Sequence, residues 1–269
     1  MQWVRFEWNG AVGFGLMHAD ESVEMHDGNL FEAPRATGQR VALSAVKLLA
    51  PVVPGKIIGL WNNFRQLAEK LELSIPSTPL WFLKASGSVI GPDDAIRAPH
   101  ADIGRIAYEG ELAIVIGQCC RNLSEVEAAH AIFGYTCIND VTAMEVLNSD
   151  PSFAQWARAK SCDTFAPLGP CIATDVDLAQ ARVRTLVGGR ERQNYPVSDM
   201  IFAPQQIVSL LSRDITLEPG DVIACGTSIG SLPMRAGTSV EITIDGIGTL
   251  RNQFEPLPQV TASADGAMA

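Results

Sequence analysis

The sequence lacks any run of about eighteen uninterrupted apolar residues, which is what a membrane-spanning helix needs. Its start also lacks a basic stretch followed by an apolar block, so we expect no secretory signal and a cytoplasmic protein. Positive charge is scarce, because 20 lysines and arginines stand against 30 aspartates and glutamates, for a net charge of −10. Nucleic-acid phosphates require a basic face. The composition therefore predicts a globular protein with neither a membrane nor a nucleic acid as partner.

Soft-metal motifs and nucleotide-binding loops are missing as well. The six cysteines show no CxxC spacing and the four histidines no ligand spacing, so we expect reduced structural thiols and no zinc site. There is no Rossmann fingerprint and no P-loop. The turn from Gly226 to Gly230 lacks the lysine and the following helix that a nucleotide loop requires. By itself this segment predicts only a turn.

Strand patterns dominate what is present. Residues 1–50 cluster short strands around Asn-Gly and Asp-Gly turns and predict a small N-terminal β module. Residues 51–256 carry longer apolar runs and predict the main domain, while the unpatterned residues 257–269 predict a disordered tail. Strands and helices do not alternate regularly, which favours an α+β, mostly β fold over a doubly wound sheet.

Local signals predict three helices among these strands. The apolar spacing of residues 63–73 predicts a short helix. Ser124 and Glu127 form the capping-box pattern of a second helix, and Pro204 suits the first position of a third. Strands are predicted over residues 3–8, 10–17, 29–32, 132–138, 222–225 and 240–247.

Two glutamates lie at strand spacing in the segment YEGELAIVIG, which begins at Tyr108. Because side chains alternate faces along a strand, Glu109 and Glu111 point the same way, with only Gly110 between them. Like charges this close raise each other's pKa unless a cation neutralises them, and such hard oxygen ligands suit Mg²⁺, Mn²⁺ or Ca²⁺. The pair alone leaves two interpretations open, a divalent-metal site or a solvated strand end.

A third carboxylate, Asp140, ends the apolar segment GYTCIND and opens a turn. Strand ends commonly display functional groups, but taken alone Asp140 is better explained as the cap of the following helix. Lys160, at the end of WARAK, taken alone predicts an ordinary surface charge.

Six sequence blocks occur together in an order and spacing typical of one enzyme family. The blocks are YEGELAIVIG, GYTCINDVT, WARAK followed by DTFAPLGP, SDMIF, LEPGDVIACGTSIG and GIGTLRN. Through them the chain resembles the fumarylacetoacetate hydrolase family over roughly residues 52–254. The resemblance implies a compact, mostly β catalytic domain built as a mixed β-sheet roll, often preceded by a small N-terminal module and usually dimeric. We therefore expect a homodimer.

The resemblance also implies site residues. The family's metal-binding carboxylates would fall on Glu109, Glu111 and Asp140, holding one Mg²⁺ or a similar ion, Mn²⁺ or Ca²⁺. Three further positions match family residues: Lys160 as a catalytic lysine, Lys84 as a basic residue that binds substrate, and Thr227 as a threonine whose hydroxyl and nearby amides would bind substrate oxygens.

The segment WNNFRQLAEK departs from the family's hydrolytic members, which carry a histidine and a glutamate on a short mobile helix that closes over the site. Here no histidine is present, so Glu69 is the best available base. Arg65 is a candidate for binding a distal substrate carboxylate, although a plain surface helix is equally open. Met144 and Leu147 stand where many relatives have polar residues, which predicts a less polar pocket.

Three functions stay open for this sequence. The first is a Mg²⁺-dependent hydrolase that cleaves a C–C bond in an acylpyruvate-like 2,4-dioxo acid. The second is an isomerase or decarboxylase of an unsaturated 2-oxo dicarboxylate in aromatic-acid catabolism, which needs no attacking water, and the third is a non-catalytic metabolite-binding protein. Both reactions pass through an enolate that a bound cation would stabilise, with Lys160 orienting the ligand or stabilising its charge. Gln193 matches a family glutamine or a simple turn residue, and we assign it no role.

Overall fold

The computed structural model describes residues 1–255, so the tail predicted over residues 257–269 lies outside the described residues. The first part of the chain forms β1 (Gln2–Trp8), β2 (Ala11–Met17), β3 (Ser22–Asp27), β4 (Arg35–Ala42), β5 (Lys47–Leu49), β6 (Ile57–Trp61), α1 (Arg65–Lys70), β7 (Leu80–Lys84), β8 (Val89–Ile90) and β9 (Ala95–Arg97). The middle forms β10 (Ile106–Ala107), β11 (Gly110–Ile116), α2 (Glu125–Ala131), β12 (Ile132–Asn139), β13 (Thr142–Ala143), α3 (Met144–Leu147), α4 (Trp156–Lys160) and β14 (Ala166–Ala173). The last part forms β15 (Arg182–Val187), β16 (Arg190–Pro196), α5 (Pro204–Asp214), β17 (Val222–Ala224), β18 (Thr238–Ile244) and β19 (Gly248–Glu255). The mostly β, α+β prediction is confirmed.

Most strands belong to one large mixed sheet. Its order is β4-β3-β2-β1-β14-β12-β11-β17-β6-β7, with β5 also paired to β1 and β8 to β14. The pairs β17–β6 and β14–β8 are parallel and the other pairs are antiparallel. The N-terminal strands join this sheet where β1 pairs with β14, at Gln2 with Ala173 and Trp3 with Ile172. Residues 1–50 are therefore continuous with the main sheet, and a domain boundary near residue 50 stays a prediction.

A second sheet, of order β16-β15-β18-β19-β9, packs against the centre of the first, and β10 and β13 form a two-stranded ribbon beside it. Strand β11 shows why its sequence is an apolar run rather than an alternating pattern, because all seven of its residues are buried. Leu112 and Ile114 share a core with residues of the second sheet, whereas Ala113 and Val115 face a separate core. A strand covered on both faces needs apolar residues at every position.

The predicted helix starts are confirmed, whereas two of the predicted strands differ from the structure. The capping box at Ser124 and Glu127 is confirmed, and so is Pro204 in the first turn of α5. The strand predicted over residues 29–32 is wrong, because Asn29 accepts hydrogen bonds from the N–H groups of two residues that follow it and forms a turn. The strand predicted to reach residue 247 ends at Ile244, where the chain turns into β19. No helix within residues 1–255 combines the length and apolar character needed to cross a membrane.

Candidate metal centre and active site

The adjoining ends of β11 and β12 bring three carboxylates together. Gly110 pairs in register with Asn139, so Glu109 and Glu111 on one strand face Asp140 at the end of the other. The N–H of Asp140 donates to the carbonyl oxygen of Glu109 at 2.9 Å, and the N–H of Glu109 donates to Asn139 Oδ1 at 2.9 Å. Each carboxylate offers an oxygen, and these oxygens all lie within 4.8 Å of one another. The spacing of the two strands thus builds one acidic cluster.

This cluster is not a solvated strand end. Glu111 is completely buried, Asp140 is buried, and the Glu109 side chain keeps 17% of its exposure. Asp140 does not cap the next helix, because α3 begins at Met144 and its N-cap position is occupied by Ala143. The simpler explanations of these carboxylates are therefore wrong.

Two buried lysines hold the carboxylates. Lys160 Nζ donates to Glu109 Oε2 at 2.7 Å and to Asp140 Oδ2 at 2.6 Å. Lys84 Nζ donates to Asp140 Oδ1 at 2.7 Å. Both lysine side chains are almost fully buried, so Lys160 is not a surface charge. The ammonium of Lys84 lies on Asp140, and its predicted contact with substrate stays a prediction.

Burial and the neighbouring charges shift the pKa values of these groups in opposite directions. Burial, followed by the charges of Asp140 and Glu109, raises the pKa of Glu111 well above its ordinary value of 4.5. Burial opposes ionisation of Asp140, but Lys160 and Lys84 together hold its pKa below the ordinary value. Burial likewise opposes the charged form of Lys160, yet Asp140 and Glu109 outweigh it and raise the pKa, so the ammonium stays protonated.

The cluster fits a divalent cation. Glu111 Oε2 accepts from the N–H of Gly226 at 2.8 Å, whereas Glu111 Oε1 is buried and has no hydrogen-bond partner in the described part of the chain. A buried carboxylate oxygen without a partner is costly, and a cation would satisfy it. With all five groups ionised, three carboxylates against two ammonium groups leave one negative charge. Three hard oxygen donors of this kind are what Mg²⁺, Mn²⁺ or Ca²⁺ prefers.

The glycine between the two glutamates is required by the second sheet. A Cβ on Gly110 would lie 2.1 Å from Thr185 Oγ1, which is far inside van der Waals contact. The N–H of Gly110 donates to Gln193 Oε1 at 3.0 Å, and its carbonyl accepts from the Tyr195 hydroxyl. Strands β15 and β16 therefore press directly on the backbone that carries the carboxylates.

Gln193 is the residue that sequence reasoning left unassigned and the structure places at the site. It is buried on β16, and its Nε2 donates to Thr227 Oγ1 at 2.8 Å. The Thr227 hydroxyl in turn donates to the carbonyl of Gly110 at 3.2 Å. The available signal was the spacing of Gln193 and Tyr195, because residues two apart on a strand point to the same face and Tyr195 is a large residue suited to burial.

The segment around α1 is anchored near the site, but its charged side chains are not in the cluster. Asn63 Nδ2 donates to the carbonyl of Cys225 at 2.8 Å, and Asn63 Oδ1 accepts from the N–H of Phe202 at 2.9 Å. Arg65 and Glu69 are exposed, and neither side chain forms a hydrogen bond or ion pair within residues 1–255. Their roles as carboxylate binder and base stay predictions, as does the less polar pocket at Met144 and Leu147.

Comparison with known proteins identifies the class to which this fold and site belong. The family model "Fumarylacetoacetate (FAA) hydrolase C-terminal" matches residues 56–255, and the model "Rv2993c-like, N-terminal" matches residues 1–51. The chain therefore belongs to the fumarylacetoacetate hydrolase family. The predicted resemblance and the predicted family fold are both confirmed.

Similar sequences come from several organisms. A protein of Archaeoglobus fulgidus is 45% identical over 248 residues, covering 92% of this chain and 94% of that one. The oxaloacetate tautomerase YisK of Bacillus subtilis is 38% identical over 227 residues, covering 79% of this chain and 74% of that one.

Solved structures share the fold closely. The 2-hydroxyhepta-2,4-diene-1,7-dioate isomerase of Mycobacterium marinum is 37% identical, with a TM-score of 0.88 over 96% of this chain and 100% of that one. The maleylpyruvate hydrolase of Sphingobium sp. SYK-6, in complex with manganese(II) and pyruvate, has a TM-score of 0.77 over 95% of this chain and 99% of that one. At 24% identity this second likeness concerns the fold alone.

Proposed function

We propose that this protein is a divalent-metal-dependent enzyme that interconverts the keto and enol forms, or moves the double bond, of a small 2-oxo acid. The observation that carries the proposal is the buried cluster of Glu109, Glu111 and Asp140, in which Glu111 Oε1 has no partner among the described residues. Mg²⁺ is the proposed ion, with Mn²⁺ or Ca²⁺ as alternatives.

The charges of the cluster match an anionic ligand. A divalent cation bound there supplies Lewis acidity, polarising a 2-oxo group and favouring the enolate. With a divalent cation held there and all five groups ionised, the net charge of the cluster would be one positive, which suits a carboxylate that enters the site. Lys160, which stays protonated, keeps a positive charge beside Glu109 and Asp140 for the oxygen that becomes negative. Lys84 balances the other oxygen of Asp140.

The turn at Thr227 is proposed to hold substrate oxygens through its backbone. Its hydroxyl already accepts from Gln193 and donates to Gly110, so its only proton is used inside the protein. The N–H groups of Thr227 and Ser228 donate to no acceptor within residues 1–255. These amides, rather than the hydroxyl, are the donors available to a ligand.

The contacts of the cluster favour isomerisation over hydrolysis. Its side-chain partners among the described residues are Lys84, Lys160 and Thr142, and no histidine is among them. Hydrolysis needs a base that activates an attacking water, whereas shifting a proton next to a 2-oxo group needs no attacking water, only a group that takes up the C3 proton and returns it. The likeness to a tautomerase and to an isomerase supports the same choice. C–C hydrolysis of an acylpyruvate is the second candidate, and its base would be Glu69, which is exposed on α1 outside the cluster.

One experiment separates these reactions. The protein is incubated in D₂O with Mg²⁺ and a panel of 2-oxo dicarboxylates and acylpyruvates, while NMR follows deuterium entry at C3 and pyruvate release. We expect deuterium entry without cleavage, loss of exchange with a chelator, and recovery with added Mg²⁺ or Mn²⁺. Asp140→Asn and Lys160→Met should abolish it, with Lys47→Met as the surface control. Pyruvate release would favour the hydrolase, and metal-loaded protein inert in both assays would refute both enzymatic functions.

The homodimer and the cytoplasmic location stay predictions. Sedimentation velocity of the purified chain tests the first, because a dimer doubles the sedimenting mass of 28.9 kDa.

A further inference from the structure

The face of one phenylalanine lies against the ammonium of Lys160. Lys160 Nζ is 5.2 Å from the centroid of the Phe82 ring and lies over that ring. Phe82 also stacks on Trp156, with ring centroids 5.1 Å apart and an angle of 20° between the planes. Trp156 and Lys160 are the first and last residues of α4, four positions apart, so their side chains share one face of the helix. A single ring therefore contacts α4 at both of its ends.

The position of this ring is set by a glycine on the neighbouring strand. Phe82 on β7 pairs with Gly59 on β6, and a Cβ at Gly59 would lie 2.3 Å from the ring atom Cζ. The missing side chain makes room for the ring. Phe82 and Lys84 lie two residues apart on β7 and so share a face, from which Lys84 reaches Asp140. Strand β7 thus supports both lysines of the site, one directly and one through its aromatic ring.

Lys160 needs such support because α4 is weakly fixed by its own hydrogen bonds. The helix has five residues, and the side chain at its N-cap position, Gln155, makes no capping hydrogen bond. The two carboxylates that hold Lys160 are the same groups proposed to bind the cation. An aromatic face attracts an ammonium without using a carboxylate, and the attraction is strongest where water is excluded.

We propose that Phe82 is a positioning residue: its ring face holds the Lys160 ammonium at the edge of the carboxylate cluster, so that Lys160 stays in place when the carboxylates bind a cation. This inference rests on the proposed function, in which Lys160 stabilises developing negative charge. Phe82 itself need not touch the substrate. Its effect belongs to the chemical step, so it is expected in kcat more than in KM.

The first test observes Lys160 directly and needs no activity. The sequence contains only five lysines, Lys47, Lys56, Lys70, Lys84 and Lys160, so protein labelled with ¹³C-lysine gives a resolvable set of Hε–Cε resonances. The Lys160 signal, assigned by its loss in Lys160→Arg, is expected upfield because of the ring current, with and without Mg²⁺. It should move to an ordinary position in Phe82→Leu and stay upfield in Phe82→Tyr. A Lys160 signal at an ordinary position in the wild-type protein overturns the proposal.

The second test measures the electrostatic part. Phenylalanines with one, two and three fluorines at position 82 withdraw electrons from the ring face while nearly preserving its shape. We expect kcat on the active substrate to fall stepwise by about tenfold in total, as loss of a desolvated cation–π contact predicts, with KM changed less than about twofold. The same series at Phe133, whose ring packs edge-on against Phe31, is the control.

The outcomes of the two tests are distinct. If fluorination at position 82 leaves kcat unchanged, the ring only packs and the positioning role is overturned. Gly59→Ala, which pushes the ring without removing it, should shift the Lys160 signal and lower kcat even if Phe82→Leu fails to fold. If no substrate is turned over by the wild-type protein, the proposed function fails, and the Lys160 resonance still decides whether the ring holds the ammonium.

Discussion

Gly110 separates the two glutamates, and its lack of a side chain matters on the face opposite to theirs. Glu109 and Glu111 point towards Asp140, whereas a Cβ on Gly110 would run into Thr185 on the second sheet, and the Gly110 N–H donates to Gln193 on the same sheet. The two glutamates therefore belong to the carboxylate cluster, whereas the glycine is required by the second sheet.

Gly110→Ala is expected to destabilise the protein by about 1–3 kcal/mol, the usual cost of overpacking a buried site. The variant should also bind Mg²⁺ more weakly, because the added methyl group pushes the second sheet and the backbone of both glutamates apart. Urea denaturation and isothermal titration with Mg²⁺ measure the two effects. Gly87→Ala is the control, since a Cβ there meets nothing within 4 Å. Equal stabilities of the two variants would contradict the packing explanation.

Glu111 makes the stability of the metal-free protein depend on pH. Because folding raises its pKa above 4.5, the carboxyl takes up a proton on folding. Its contribution to stability is complete below about pH 4 and is lost as the pH rises through the folded-state pKa. Glu111→Gln cannot ionise, so with chelator at pH 7.5 it should be more stable than the wild-type protein, in which this carboxyl carries a buried charge. The difference should vanish at pH 4.

Added Mg²⁺ should make the wild-type protein more stable than Glu111→Gln at pH 7.5, since only the wild-type protein keeps all three carboxylates. Urea denaturation with chelator or Mg²⁺ at both pH values measures it, with the exposed Glu7→Gln as control. A Glu111→Gln protein less stable than wild type under every condition would argue against a repelled, buried carboxylate.

Lys84→Met tests the buried ion pair beneath the site. Removing this ammonium leaves Asp140 buried with one cationic partner, which is expected to cost about 3–5 kcal/mol. Lys47→Met, which breaks the exposed pair with Asp94, should cost less than about 1 kcal/mol. Chemical denaturation of both variants makes the comparison. A similar small loss in both would show that Lys84 is dispensable to Asp140.

At the scale of elements, a variant on α1 distinguishes the two candidate reactions. Its start is tied down through Asn63 and through the Gln66 N–H, which donates to Asp199 Oδ2 at 3.0 Å, while Glu69 faces solvent. We expect Glu69→Gln to leave deuterium exchange at C3 within about threefold of wild type, since enolisation needs no activated water. Any pyruvate release should be lost. Glu72→Gln is the control on the same segment, and loss of exchange in Glu69→Gln alone would give Glu69 a role in proton transfer.

Elements were predictable from the sequence where short-range physics determines them. The capping box of α2 and the proline of α5 depend on neighbours three or four residues away, and both were predicted. The strand assigned to residues 29–32 failed because the Asn29 side chain satisfies the backbone locally and competes with strand pairing.

The site was predictable only in part, because its partners are distant in the chain. Glu109, Glu111 and Asp140 were found through strand spacing and the family pattern. The burial of Lys84 and the placement of Gln193 depend on contacts 56 and 83 residues away, which no local pattern encodes. The simpler explanations failed for the same reason, since exposure of a charged residue is a property of the assembled fold.

At the scale of the whole molecule, the N-terminal strands complete the sheet that bears the site. Deleting residues 1–50 would uncover the edge of β14, where Ile172 and Ala173 now lie buried under β1. An open apolar edge promotes pairing between chains, so the truncated protein is expected to aggregate. Size-exclusion chromatography and thermal denaturation measure this. A monodisperse truncated protein with unchanged melting temperature would instead show that the main sheet is stable without the N-terminal strands.

The approach of the second sheet to Gly110 also bears on protein design. If a Glu-Gly-Glu sequence were moved into a solvent-exposed strand, water would hydrate its two carboxylates. The exposed pair would then bind a cation only weakly. The transplant would need the threonine and glutamine that meet the glycine from the other sheet, together with both lysines. A designed cation site would therefore have to include the contact between the two sheets, because the Glu-Gly-Glu sequence alone does not create it.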